Sequence, residues 1–400
     1  MNHETYDFAI IGGGLLGLAT AKALIDHDSK LKICILEKEP AVAQHQSGRN
    51  SGVIHSGIYY SAGSFKQRLT SEGRAALFDF CKAEKISFEH CGKILLAQNE
   101  DEIPRLKELA KNALQNGLQA EILDEAEIRK IEPNARGLAG IYLPEAAIID
   151  YSLVAQRLSE ALQKKGVRII HNFRVSATQS TNTGVELSSG SKQVGTKFVI
   201  NCAGLFSDQV ASILGAQPAA RIIPFRGQYF RLKGAAKSLV KALIYPLPDP
   251  QHPFLGVHLS RTMDGEVIAG PNAVLSLKRE GYKTGDVSIK EAWQIFSYPG
   301  FWRFGVTNFN LAANQYFRAW NQTAFASALQ ALVPAIRMKD LKVGRSGVRA
   351  QAMSPDGKLI KDFAFEESPS ALHVINAPSP GATASLAIGK HIAEKTFAKN

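Results

Sequence analysis

Cysteine is scarce in this 400-residue chain: Cys34, Cys81, Cys91 and Cys202 lie far apart, with no Cys-x-x-Cys pair and no metal-type spacing to His. A disulfide framework and a zinc site are therefore not expected, and the thiols read as buried groups of a reducing compartment. No apolar run reaches the roughly 18 residues of a membrane span, and a strand starts too near Met1 to leave room for a signal peptide. A cytoplasmic chain is the expectation. Acidic residues are outnumbered, 36 against 47 basic, for a net charge of +11. Such a field attracts an acidic substrate, an anionic membrane or nucleic acid, and by itself selects none of them. A concentrated Lys/Arg run is missing too, which weighs against a nucleic-acid partner. Internal repeats, low-complexity tracts and a Gly/Ser linker are absent, and 45% hydrophobic with 21% charged residues describes a globular chain with one large core or two connected ones.

What is present begins at once. Tyr6 to Ile11 is a short apolar, β-prone run, followed by Gly12-Gly13-Gly14-Leu15-Leu16-Gly17 and an Ala- and Leu-rich helical stretch from Leu18 to Leu24. In a strand, glycine turn and helix of this kind, Gly12 makes the tight turn, Gly14 lets the backbone approach a pyrophosphate and Gly17 lets helix pack on strand. The helix N-terminus then offers unpaired N–H groups to the phosphates. A second run, Leu31 to Leu36, ends at Glu37, about twenty residues beyond the last glycine, where an acid accepts from ribose hydroxyls. An acid there disfavours NADP and leaves NAD and FAD open.

The next segment, KEPAVAQHQSGRNSGVIHSGIYYSAGS, is dense in Gly, Ser, Asn and His where a plain NAD domain continues with helix and strand. It resembles the D-amino acid oxidase superfamily of FAD enzymes, and QSGRNSGVIHSGIYY resembles the L-2-hydroxyglutarate dehydrogenase (oxidase) family. The resemblance implies FAD as cofactor, with contacts from Lys38, Ser47, Asn50, Ser51, Gly52 and Val53. It puts His55 beside the flavin ring, as an acid/base group or as an attachment point for flavin; a structural histidine is the plain alternative. VINCAGLFSD (Val199 to Asp208) looks like a second flavin motif, with Ala203 and Gly204 under the dinucleotide and Ser207 as a helix N-cap. Val175 matches the position whose backbone meets the adenine. NAPSPGATASLAIG near the C-terminus, with Pro380, Gly381, Ala382 and Thr383, resembles the helix start that faces the flavin ring.

Flavin motifs at both ends and in the middle require a discontinuous domain. The expected fold is α/β: a Rossmann-type FAD domain of residues 1–85, 148–215 and 342–400, and an α+β substrate domain of 86–147 and 216–341 built on an antiparallel sheet. Local signals include a helix near Asp101 to Asn116 ended by Gly117, a capping box of Asp124 with Glu127, and a helix from Tyr151 to Lys165 between Asp150 and Gly166.

A dicarboxylate needs two cationic or hydrogen-bonding anchors, for which the Arg fork is well suited. Candidates occupy segments that match the family's pattern: Arg226 and Gln228 in PFRGQYFRL, Tyr245 in LIYPLPDP, His258 and Arg261 in GVHLSRTMDG, Asn272 in GPNAV, and Arg349 and Gln351 in GVRAQAMSPDG. The function so implied is oxidation of L-2-hydroxyglutarate to 2-oxoglutarate by hydride transfer to flavin N5. His55 or His258 would be the base and Arg349 the anchor of the C1 carboxylate. An amino acid or another small 2-hydroxy acid is the nearest alternative, and a flavin-dependent tRNA-modifying protein the one from another class. Ile295 to Trp320, rich in aromatics, carrying Arg303 and Arg318 and lacking any acid, suits a loop or helix lying on an anionic membrane that delivers electrons to a quinone, or else packs inside the substrate domain.

Overall fold

The computed structural model describes residues 5–248, 256–307 and 322–399. Among them the strands form three sheets. In the eight-stranded sheet the strands Ala371–Asn376, Lys192–Asn201, Thr5–Ile11, Ile33–Leu36 and Arg168–Ile170 lie side by side and parallel. Strands covered on both faces read as continuous apolar runs rather than alternating ones, and Ile33–Leu36 and Ala371–Asn376 are buried at every residue. One face is covered by the helices Leu15–His27, Tyr151–Lys164 and Ser385–Lys399, whose apolar residues join the strands in one large core. The two helices from opposite ends of the chain cross closely, because a Cβ on Gly389 would stand 2.5 Å from the backbone of Ala19.

The second sheet has nine strands and is antiparallel except where Leu243–Pro246 runs parallel to Lys93–Ala97. Its spine is the long pair Arg221–Leu232 and Leu341–Met353, which runs from Arg221 opposite Met353 to Leu232 opposite Leu341 with one register shift between Gln228 and Phe230. Of the stretch 342–400 expected in the FAD domain, the residues up to Met353 pair with Arg221–Leu232, which satisfies backbone groups at eleven paired positions. A small third sheet joins Val53–Ile54, Ala147–Ile149 and Phe88–His90, tying the flavin loop to the start of the insert.

Local signals are realised closely. Asp124 and Glu127 form the capping box, Asp150 caps Tyr151–Lys164 through the Ser152 N–H, and Gly117 and Gly166 take positive φ after their helices. Ser207 is different. The 3-10 turn Gly204–Phe206 runs straight into the helix Ser207–Ile213, so Phe206 holds the cap position without a side-chain bond and Ser207 is already helical.

Candidate active site

The carboxyl ends of the parallel strands open into a cavity of about 1250 Å³, walled by segments from the beginning, middle and end of the chain. Small-ligand pockets run roughly 300–1,000 Å³, so this one suits a dinucleotide together with a small substrate. The phosphate loop is built for close approach. Gly12 has φ +112°, and a Cβ there would lie 2.5 Å from the Cys202 carbonyl oxygen; a Cβ on Gly17 would lie 2.0 Å from the Gly12 carbonyl oxygen. Gly17 therefore packs behind the cavity, while Gly12 and Gly14 line it. Ser47 Oγ accepts from the Leu15 N–H at 3.0 Å, holding the helix start against the flavin loop. Glu37 is buried, lines the cavity, and accepts from the N–H groups of Gly13 (2.7 Å) and Glu39 (2.8 Å). Beyond the ribose role expected of it, this carboxylate pins the glycine loop.

Ser47, Asn50, Ser51, Val53, Val175, Ala203, Gly204, Pro380, Gly381 and Ala382 all line the same cavity. Gly52 and Thr383 stand just behind it. Asn50 Oδ1 accepts from the Gly52 N–H at 2.9 Å, and buried Thr383 accepts from the His55 N–H at 3.1 Å and meets Tyr151 Oη at 2.9 Å. The C-terminal turn and the flavin loop are thus fastened to each other through one hydroxyl. Lys38 also lines the cavity, with its ammonium amid Glu39, Glu280 Oε1 (2.5 Å) and His45 Nε2 (2.7 Å). These three groups lie near enough to hold a metal ion, but the Lys38 ammonium already serves as their cation. The residues present fit FAD: a glycine cradle that any Cβ would obstruct, a buried acid beside it, and a cavity of sufficient size.

At the far end of the cavity stand His55, Tyr59, Tyr229, Tyr245, His258 and Arg349. Tyr245 and His258 stack with centroids 4.0 Å apart and planes 17° apart. His258 Nδ1 lies 2.8 Å from the Gly256 carbonyl oxygen, which can only accept, so Nδ1 carries the proton and Nε2 the lone pair. Burial, and then the charge of Lys93, pushes both imidazoles down to about 3; Lys66 adds to this at His55, and Arg349 at His258. Both rings are neutral over the physiological range. Burial also lowers the Arg349 pKa, though a guanidinium remains charged.

The other substrate candidates are placed differently. Arg226 donates to Thr284 Oγ1 at 3.0 Å, and Arg261 pairs with Glu89 at 2.7 Å and donates to the Lys241 carbonyl; neither lines the cavity. Gln228 and Asn272 also stand outside it: Asn272 Oδ1 accepts from the Gln228 N–H, and the Gln228 amide donates to the carbonyls of Tyr229, Gly344 and Arg345. They brace the irregularity between Gln228 and Phe230, where the long strand pair shifts register. Gln351 lines the cavity, but its amide N–H groups are spent on the Ala352 and Ile360 carbonyls. Conversely, Tyr59, Tyr60, Lys66, Tyr229 and the buried Lys93 were not singled out from the sequence. A lysine opening the apolar run KILLA was the available signal.

Comparison with known proteins gives concordant results. The family described as FAD dependent oxidoreductase matches residues 7–395. The chain is 44% identical over 394 residues to an L-2-hydroxyglutarate dehydrogenase of Salmonella houtenae, covering 98% of this chain and 93% of that protein. It is 43% identical over 391 residues to an L-2-hydroxyglutarate dehydrogenase of Indibacter alkaliphilus, covering 97% and 98%. Among solved structures, an FAD-bound L-alpha-glycerophosphate oxidase of Mycoplasma pneumoniae superposes with a TM-score of 0.78 at 23% identity, over 98% of this chain and 95% of that one. At that identity the likeness speaks for the fold.

Proposed function

Since the chain belongs to the FAD dependent oxidoreductase family, and within it to the L-2-hydroxyglutarate dehydrogenases, we propose that its cavity oxidises L-2-hydroxyglutarate to 2-oxoglutarate with His258 as base and Arg349 as carboxylate anchor. The observation that carries this reading is the Tyr245–His258 stack facing the same cavity end as Arg349. When bound, FAD supplies the hydride acceptor. Arg349 holds the C1 carboxylate by its fork and so fixes where C2 lies. His258 takes the hydroxyl proton on Nε2, the ring being held by the Gly256 carbonyl on one side and the Tyr245 face on another. A bound dianion beside the ring raises its affinity for a proton, so base strength grows as substrate arrives. Around His258 the described charged and polar side chains are Tyr, His, Arg and Lys, which suits an anion better than the ammonium group of an amino acid.

The test is anaerobic addition of L-2-hydroxyglutarate, D-2-hydroxyglutarate and L-malate to the yellow holoenzyme. Rapid bleaching of the flavin by the first alone is the expected result; no bleaching by it, or equal bleaching by an L-amino acid, overturns the reading.

For re-oxidation we infer a membrane-facing acceptor, a reading supported by one observation. The helices Ile289–Phe296 and Pro299–Thr307 bury Ile295 and pack Phe301 and Phe304 inward, yet leave Trp293 72% and Trp302 58% exposed beside exposed Ile289 and Val306. The remainder of the aromatic segment, 308–320, lies outside the described residues, and no helix among them is long and apolar enough to cross a membrane. Exposed Trp with basic neighbours Lys290 and Arg303 suits an anionic interface. Co-sedimentation with anionic vesicles at low salt is expected for the native chain and strongly reduced for Trp293→Ser/Trp302→Ser. Absence of binding by the native chain removes the idea.

A further inference from the structure

Lys93 opens the strand Lys93–Ala97, buried along its whole length, and its own side chain is only 3% exposed. The ammonium donates to Tyr59 Oη at 2.8 Å and lies 4.6 Å from the Tyr59 ring centroid and 3.9 Å from that of Tyr245. Both rings line the substrate end of the cavity. Among the described residues no carboxylate pairs with Lys93, and burial moves its pKa down to about 7. A buried ammonium held by one phenol and two aromatic faces is costly to keep. Structural lysines escape that cost by extending their heads to water, whereas this one lies behind Tyr59 and Tyr245, which line the cavity while Lys93 does not, so that Tyr59 Oη stands between the ammonium and the ligand space.

We propose that Tyr59, charged from behind by Lys93, forms the subsite for the distal carboxylate of the substrate, with Lys93 acting as a positioning residue through the Tyr59 hydroxyl, and so selects a dianion over a monoanion. This rests on the dicarboxylate reading above and names the residue behind it. Arg349 and the Lys93–Tyr59 pair would then divide the two carboxylates, one at the reacting carbon and one at the far end of the chain. Lys93 is not the base in this arrangement; its charge, not its lone pair, is what the ligand uses.

The groups that face it leave its titration legible. His55 and His258 are held down at about 3, the Tyr59 and Tyr245 hydroxyls are pushed up by burial, the Cys91 thiol is pushed up to about 11, and Arg349 stays charged. Lys93 is charged below about 7 and neutral above it. The anchor is therefore lost as pH rises through that value, and a dianion that binds above it must bring a proton with it.

The experiment compares L-2-hydroxyglutarate with L-2-hydroxypentanoate, the same five-carbon chain without the distal carboxylate, on native holoenzyme and on Lys93→Met. The preference for the dianion, as a ratio of kcat/KM, is expected to fall roughly 10²-fold in the variant, mostly through KM. Glutarate should perturb the flavin spectrum of the native enzyme and lose roughly the same factor in affinity for the variant, with pentanoate unaffected. A preference that survives K93M, or an equal loss of kcat on both substrates, overturns the assignment, the latter because it marks a base or a structural role. Should K93M not fold, the native enzyme still decides. Its KM for L-2-hydroxyglutarate should climb as pH passes about 7 while that for L-2-hydroxypentanoate stays level, and parallel curves overturn the proposal. Failure of the native enzyme to be reduced by L-2-hydroxyglutarate would instead strike the functional reading itself.

Discussion

Arg349→Met is expected to lower kcat/KM for L-2-hydroxyglutarate by roughly 10³-fold, since removing one partner of a buried, charge-assisted pair costs about 2–5 kcal/mol and the anchor also sets where C2 lies. Arg349 lies opposite Phe225 in the longest strand pair among the described residues and lines the cavity beside Tyr229. A strand of the nine-stranded sheet, rather than a loop, thus aims the guanidinium, and its position is fixed by a ladder of eleven paired positions. Arg349→Lys keeps the charge but loses the planar fork, so its activity should lie between the two. Steady-state kinetics on holoenzyme of unchanged flavin content and unchanged Tm makes the comparison. Activity within tenfold of native for R349M would remove Arg349 from the carboxylate site.

Why Arg349 lines the cavity while Arg226 and Arg261, set in equally motif-like segments, do not is a matter of range. Local chemistry is readable residue by residue: the Asp124–Glu127 capping box, the Asp150 cap and the positive-φ glycines after helices all depend on neighbours within a few positions. Strand alternation tells which residues share a face, but not whether that face looks into a cavity, onto another strand or to solvent. Arg226 and Arg261 lie on polar faces that meet Thr284 and Glu89, and only contacts between segments 58 and 172 residues apart decide this. The same holds for Gln228 and Asn272, which repair a register shift that no local pattern announces. Lys93 escaped notice for a different reason. A lysine at the edge of an apolar run ordinarily extends its head to water, and only the roof formed by Tyr59 and Tyr245 shows that this one does not.

Within the phosphate loop, two alanine substitutions of adjacent motif glycines should fail in distinguishable ways. In Gly17→Ala the new Cβ would meet the Gly12 carbonyl oxygen at 2.0 Å and the Ile10 side chain at 3.3 Å. Backbone at that distance cannot rotate aside as a side chain can, so the helix Leu15–His27 must move off the strand Thr5–Ile11, which carries the centre of the parallel sheet. Overpacking of this kind costs about 1–3 kcal/mol or more; G17A should therefore emerge colourless, with a lowered apoprotein Tm. In Gly14→Ala the only near neighbour is Ser47 Oγ at 3.0 Å, the end of a side chain, and φ is −81°. The fold can accept that methyl group, but the place where the backbone must approach a pyrophosphate cannot. G14A should thus keep the apoprotein Tm of the native chain and yet purify with little flavin, recovering colour only in excess FAD. The two variants separate packing from cofactor contact by one measurement each, Tm of the stripped protein and flavin absorbance per chain. If G14A holds FAD as tightly as the native chain, the glycine turn is not where the dinucleotide lies, and the reading that sets a flavin between that turn and the His258 and Arg349 end of the same cavity loses its support.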